Sequence, residues 1–161
     1  MQKSGRLRWR AGLAFDGASG AGGRITLDGA DDTPGLRPTE GLLLSLAACT
    51  GMDVAAILAK KRQRVERYEV AVEGEQSDEH PRPFRRIDLT HEIDGAGVEV
   101  EAVRRSIELS ATRYCPVNAT LASGAVEIHH RYRVRNGEGE HVAEVAVTGP
   151  HGALSVAASR P

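Results

Sequence analysis

The chain has 161 residues, enough for one domain with a buried core and short of two comfortable ones. Its 21 Lys and Arg against 22 Asp and Glu, with an isoelectric point of about 6.6, leave no basic footprint for nucleic acid or an anionic membrane. No apolar run approaches the roughly 20 residues of a membrane helix, and no signal-peptide core follows Lys3, Arg6, Arg8 and Arg10. We therefore expect a soluble, cytoplasmic protein with no nucleic-acid and no membrane partner.

Residues 6–15 alternate apolar and polar at Leu7, Trp9, Leu13 and Phe15, which predicts a half-buried strand, broken or bulged at Gly12. The glycine-rich stretch 17–23 reads as a hairpin turn into a second strand at 24–28, followed by loop. Gly20-Ala21-Gly22-Gly23 opens no helix and lacks a Gly-Lys-Ser ending, so a turn is favoured over a phosphate loop.

The spacing then predicts a helix over 39–64, with Thr39 as N-cap and Glu40 in its first turn. Leu42, Leu43, Leu46, Ala47, Met52, Val54, Ala55, Ile57 and Leu58 make it apolar on nearly every side, so it should be buried. Its basic end, Lys60 to Arg64, suits the negative pole of the helix dipole and returns to water.

Tyr68, Val70 and Val72, then Phe84, Ile87, Leu89 and Ile93, predict an antiparallel hairpin across the turn at His80-Pro81-Arg82-Pro83. From Val98 the period lengthens, and Val100, Val103, Ile107, Ser110, Ala111 and Tyr114 mark an amphipathic helix ending near Cys115-Pro116. A short helix around Leu121 and a strand through Val126, Ile128, His130 and Tyr132 follow. The Gly- and Ala-rich remainder holds one weak strand at 141–147. Strands, buried helix, strands, amphipathic helix and strand together give an α+β class with helices against antiparallel sheet.

Cys49 and Cys115 are the only cysteines. In a reducing compartment a touching pair is more often transient and catalytic than a structural staple. Cys49 falls mid-helix, where apolar burial makes a thiol inert, so reactivity requires a cation brought from elsewhere in the fold. Asp53, one turn on, opposes thiolate formation if it points at the sulfur. His129 and His130 are adjacent on a strand and face opposite ways, as do His91 and Glu92, so no metal site is expected from them. Tyr114, Trp9 and Phe15 are read as packing residues, the last two with a place at the mouth of an apolar pocket as the alternative.

The segments Pro38-Thr39-Glu40-Gly41-Leu42-Leu43-Leu44-Ser45-Leu46-Ala47-Ala48-Cys49-Thr50-Gly51-Met52-Asp53-Val54 and Leu109-Ser110-Ala111-Thr112-Arg113-Tyr114-Cys115-Pro116-Val117 resemble the osmotically inducible protein C and organic hydroperoxide resistance (OsmC/Ohr) family. The resemblance spans about residues 6–135. It implies an OsmC/Ohr-like domain at 1–135, a tail at 136–161, and an intertwined homodimer whose antiparallel sheets wrap buried central helices. It also implies a thiol-dependent peroxidase, with no cofactor, acting on organic hydroperoxides. Cys49 is then the peroxidatic residue, Cys115 the resolving one, and an external thiol or lipoylated protein the reductant. Glu40 matches the family glutamate that orients an arginine against the sulfur. Arg24 is the first choice for that arginine and Arg37 the second. The stretch 22–29 also resembles a less characterised branch in which this arginine is not regularly kept. A binding protein for an apolar small molecule, with cysteines that only sense oxidation, is the rival reading; a structural dimer without turnover is a third.

Overall fold

The alternation over 6–15 becomes two strands rather than one. In the computed structural model, which describes residues 2–150 and Gly152, β1 (Gly5–Ala11) and β2 (Ala14–Ser19) pair antiparallel and join at Gly12. Gly12 has φ +55°, an angle that glycine takes at no steric cost at the first position of a two-residue hairpin turn. β3 (Arg24–Asp28) adds to β2, so the first sheet runs β1-β2-β3. The registers Leu7↔Gly17↔Ile25 and Trp9↔Phe15↔Leu27 put the apolar residues of all three strands on one face. That face is not half-buried as its pattern predicts: Leu7, Trp9 and Ile25 are 59%, 63% and 41% exposed.

The chain divides into two units, Met1–Leu44 and Ser45–Pro161, each packed mainly within itself. Helix α1 (Pro38–Lys60) crosses the division. Proline at its first position loses no hydrogen bond, and Glu40 reaches back to the Arg37 backbone N–H at 2.9 Å, one half of a capping box. Arg37, not Thr39, is thus the capped residue.

In the second unit, α1 buries Leu46, Ala47, Thr50, Val54 and Leu58, a stripe at three- and four-residue spacing. Ala48, Met52, Ala55 and Ala59 on the opposite side are exposed, so the helix is covered on one face and not all round. By length and composition alone α1 could cross a bilayer, contrary to the expectation that no stretch is apolar enough; Glu40, Thr50 and Asp53 interrupt its apolar run without lowering its mean hydropathy below that of a spanning helix.

The second sheet has the order β4-β5-β6-β7, with β4 (Arg67–Gln76), β5 (Phe84–Asp94), β6 (Glu127–Asn136) and β7 (Gly139–Thr148). β4/β5 and β6/β7 are antiparallel, whereas β5/β6 is parallel, a departure from wholly antiparallel sheets. Parallel neighbours need a crossover, and here it carries α2 (Val100–Leu109), a π-helical turn (Ser110–Tyr114) and α3 (Pro116–Ala122). Val54 and Leu58 of α1, Val103 and Ile107 of α2, and Ile93 and Val134 of the sheet share one buried cluster. β7 occupies the region of the weak strand expected at 141–147 and buries Val145 and Ala146. The expected tail beyond Gly152 lies outside the described residues.

Candidate active site at the cysteine pair

The amphipathic helix expected to run to Cys115 changes its winding before it gets there. At Ser110 the backbone enters a single π turn, closed by the Cys115 N–H donating to the Ser110 carbonyl at 3.0 Å. Cys115 then takes an extended conformation and Pro116 starts α3, so the thiol sits between two helices. Its sulfur accepts the Asn118 N–H at 3.3 Å as the cap of α3.

This placement brings Cys115 to Cys49 on α1. The sulfurs lie 2.7 Å apart and both are free thiols, with Cys115 buried and Cys49 half-buried. Burial first, and the hydrogen bond to Cys49 second, push the Cys115 thiol up to about 12, against the opposing pull of the Asn118 N–H. Cys115 therefore keeps its proton at neutral pH.

Asp53 completes the cluster: one ligand atom each from Cys49, Asp53 and Cys115 lie within 4.8 Å of one another. Ser110 Oγ is 2.9 Å from Asp53 Oδ2 and 3.0 Å from Thr50 Oγ1. A hydroxyl has one proton, so Ser110 donates to the carboxylate and accepts from Thr50.

Behind the pair, Asn118 ties three elements together. Its Nδ2 donates to the Ala111 carbonyl at 2.8 Å, and its Oδ1 accepts from His130 Nε2 at 2.9 Å and Thr148 Oγ1 at 3.2 Å. That orientation assigns the His130 proton to Nε2. His91 is bonded through Nδ1 to the Tyr68 hydroxyl at 2.7 Å and stacks on His130, ring centroids 6.4 Å apart. Burial, then the neighbouring imidazole of His130, lowers His91 to about 3; burial, then His129, lowers His130 to about 4. Burial, with the Asp53 charge second, keeps the Tyr68 phenol protonated.

Cys49 and Cys115, whose meeting residue spacing leaves open and the family resemblance implies, are brought together. Glu40 and Arg24 belong to the first unit, where Glu40 caps α1 and Arg24 is exposed on β3 beside a groove of about 600 Å³ lined also by Leu7, Gly17 and Ile25. Arg24 has no side-chain partner among the described residues, while Arg37 is ion-paired with Asp31. Tyr114 is 48% exposed with the Arg113 guanidinium over its ring, and is not a core residue. His129 bonds Glu144 and His130 bonds Asn118, on opposite faces. Ser110 and Asn118 are site residues that the sequence did not single out, and His130 figures there only as a metal-ligand candidate. Ser110 and Asn118 lie five before and three after Cys115, and spacing alone does not separate them from packing positions.

The model of the family described as OsmC-like protein matches residues 29–131. The chain belongs to the OsmC-like protein family. Among OsmC-like relatives, Protein YhfA of Escherichia coli K12 is 38% identical over 129 residues, covering 80% of this chain and 96% of that protein. A hypothetical protein from Aquifex aeolicus VF5 superposes with a TM-score of 0.73 at 29% identity, over 84% of this chain and 98% of the other. The organic hydroperoxide resistance protein OhrB of Bacillus subtilis shares the OsmC-like fold with a TM-score of 0.55 at 16% identity, over 82% and 98% of the two chains.

Proposed function

We propose that this OsmC-like protein is a thiol-dependent peroxidase that reduces organic hydroperoxides, and hydrogen peroxide as a lesser or equal substrate. The observation that carries the reading is the 2.7 Å approach of Cys49 and Cys115, two free thiols of unequal burial. The more accessible Cys49, as thiolate, attacks one peroxide oxygen; the O–O bond breaks and the alkoxide leaves as alcohol with a proton. Cys49 becomes a sulfenic acid. The Cys115 sulfur displaces the hydroxyl, its own proton leaves with that oxygen as water, and a disulfide forms. An external dithiol, a small thiol or a lipoylated protein then returns both thiols by exchange.

In this reading Glu40 and Arg24 serve the thiolate as the family resemblance implies, with Arg37 as the alternative arginine. Residues 1–135 carry the chemistry, and 136–161 is an added segment whose β7 extends the second sheet. A cytoplasmic setting keeps the pair reduced between turnovers.

We also propose a homodimer. The uncovered apolar face of β1-β2-β3 and the exposed Ala48, Met52, Ala55 and Ala59 stripe of α1 are surfaces that a second copy would cover.

The test is consumption of cumene or tert-butyl hydroperoxide by the reduced protein with dithiothreitol as reductant. Turnover with loss of both thiols is expected. No consumption above the thiol blank would reject the peroxidase and favour an apolar-ligand binder, a reading supported by the groove beside Leu7 and Ile25.

A further inference from the structure

Among the described residues, the cysteine pair and the Asp53 carboxylate have no cationic partner within their own unit. Two thiols and a carboxylate converge there, yet no Lys or Arg hydrogen-bonds or ion-pairs with Cys49, Asp53 or Cys115 among the described residues. Ionising either thiol beside Asp53 places like charges together.

We infer that Cys49, Asp53 and Cys115 form a binding site for a divalent transition-metal ion of the zinc type, occupied when both cysteines are reduced. This goes beyond the peroxidase and does not depend on it.

Three features favour the site. The donor set is right: two sulfurs and one oxygen suit Zn²⁺, and three protein ligands leave a fourth tetrahedral position for water or a small thiol. The geometry is close: tetrahedral bonds of about 2.3 Å to sulfur and 2.0 Å to oxygen set ligand atoms about 3.5–3.8 Å apart. The three donor atoms already lie within 4.8 Å of one another, and the sulfurs, at 2.7 Å, need only swing apart by about 1 Å, a side-chain rotation. Cys49 and Asp53 stand four apart on α1, the spacing that puts two ligands on one helix face.

The surroundings also fit. Ser110 holds Oδ2 of Asp53, which leaves Oδ1 to bond the ion, and such outer-sphere bonds to ligating carboxylates orient them. Binding releases the thiol protons, since the metal ligand is the thiolate. Oxidation of the pair to a disulfide removes both sulfur donors, so the ion protects the dithiol and leaves when it is oxidised.

The experiment titrates the reduced, metal-free full chain with Zn²⁺ against a chromophoric chelator, and with Co²⁺ in parallel. One ion per chain is expected, with Co²⁺ giving thiolate charge-transfer absorption and the intense visible bands of a tetrahedral site. Asp53→Asn is expected to weaken Zn²⁺ binding by at least about tenfold, and diamide, which takes both thiol hydrogens to make the disulfide, is expected to abolish it in the wild-type chain. A wild-type titration no different from that of the Cys49→Ser/Cys115→Ser variant overturns the inference. So does a Co²⁺ spectrum without thiolate charge transfer, wild-type affinity in Asp53→Asn, or binding that survives the disulfide.

Discussion

His130 on β6 and Asn118 on α3 are joined by a 2.9 Å hydrogen bond, buried on both sides, and Asn118 in turn offers its backbone N–H to the Cys115 sulfur. The sheet thereby positions the α3 end of the cysteine loop. Asn118 also holds the Ala111 carbonyl inside the π turn, so one side chain braces the backbone on both sides of Cys115.

Asn118→Ala should loosen this loop. It strands the His130 Nε2–H and the Ala111 carbonyl, at roughly 1–3 kcal/mol for each buried group left unpaired. Urea unfolding should register that loss. The sulfenic acid on Cys49 should also live longer, because Cys115 is less well placed to attack it, and trapping with dimedone after a peroxide pulse measures the lifetime. Unchanged trapping with lowered stability would confine Asn118 to a structural role.

Acid should unfold the protein through its buried histidines. His91 and His130 are neutral in the core, lowered to about 3 and about 4, while in the unfolded chain they take up protons near 6.5. The unfolded state therefore binds more protons as pH falls, and the stability present above about 6.5 is lost towards 4 at up to about 1.4 kcal/mol per pH unit for each histidine. Among the described residues, the polar groups interacting with them are Tyr68, Asn118 and His129, none of them a carboxylate that would retain the proton. His130→Gln should flatten the slope of denaturation free energy against pH between 6.5 and 4; an unaltered slope would mean that other groups govern the acid limb.

Glu40 allows its two roles to be separated. Its hydrogen bond to the Arg37 N–H survives in Glu40→Gln, since glutamine also fills the third helical position of a capping box, but is lost in Glu40→Ala at about 0.5–2 kcal/mol. If Glu40 orients an arginine for Cys49, both variants should slow peroxide reduction, while only alanine lowers the melting temperature. Wild-type rates in Glu40→Gln would leave it a cap alone. Arg24→Ala, on an exposed strand position, should cost rate without costing stability.

The two sides of α1 should respond to mutation in opposite ways. Leu58→Ala opens a cavity in the core cluster and should cost about 2–5 kcal/mol of stability. Met52 is 71% exposed, so Met52→Asp should leave a single chain's fold intact while shifting a dimer towards monomer in sedimentation analysis. A monomer for both wild type and variant would remove the case for a second copy on that face.

Much of the architecture is readable from period alone. β5 and β6 alternate cleanly, and their inward rows Ile87, Leu89, His91, Ile93 and Ile128, His130, Tyr132, Val134 follow the two-residue repeat. Strand direction is not readable, because an inward row looks the same whether its neighbour runs parallel or antiparallel. The π turn is equally hidden: an extra residue in one turn leaves the apolar spacing around Ser110 and Ala111 close to that of a continuous helix.

By itself, then, the order of residues determined that two cysteines occupy helix-bound motifs, that one helix is unusually apolar, and that the class is α+β, since each is a matter of local spacing and composition. Only the tertiary structure decided that the sulfurs meet, that Asp53 and Ser110 join them, and that α1 leaves one face uncovered. Those are contacts across long stretches of chain, between Cys49 and Cys115 or Asp53 and Ser110, and no local pattern records which surfaces packing will bring together.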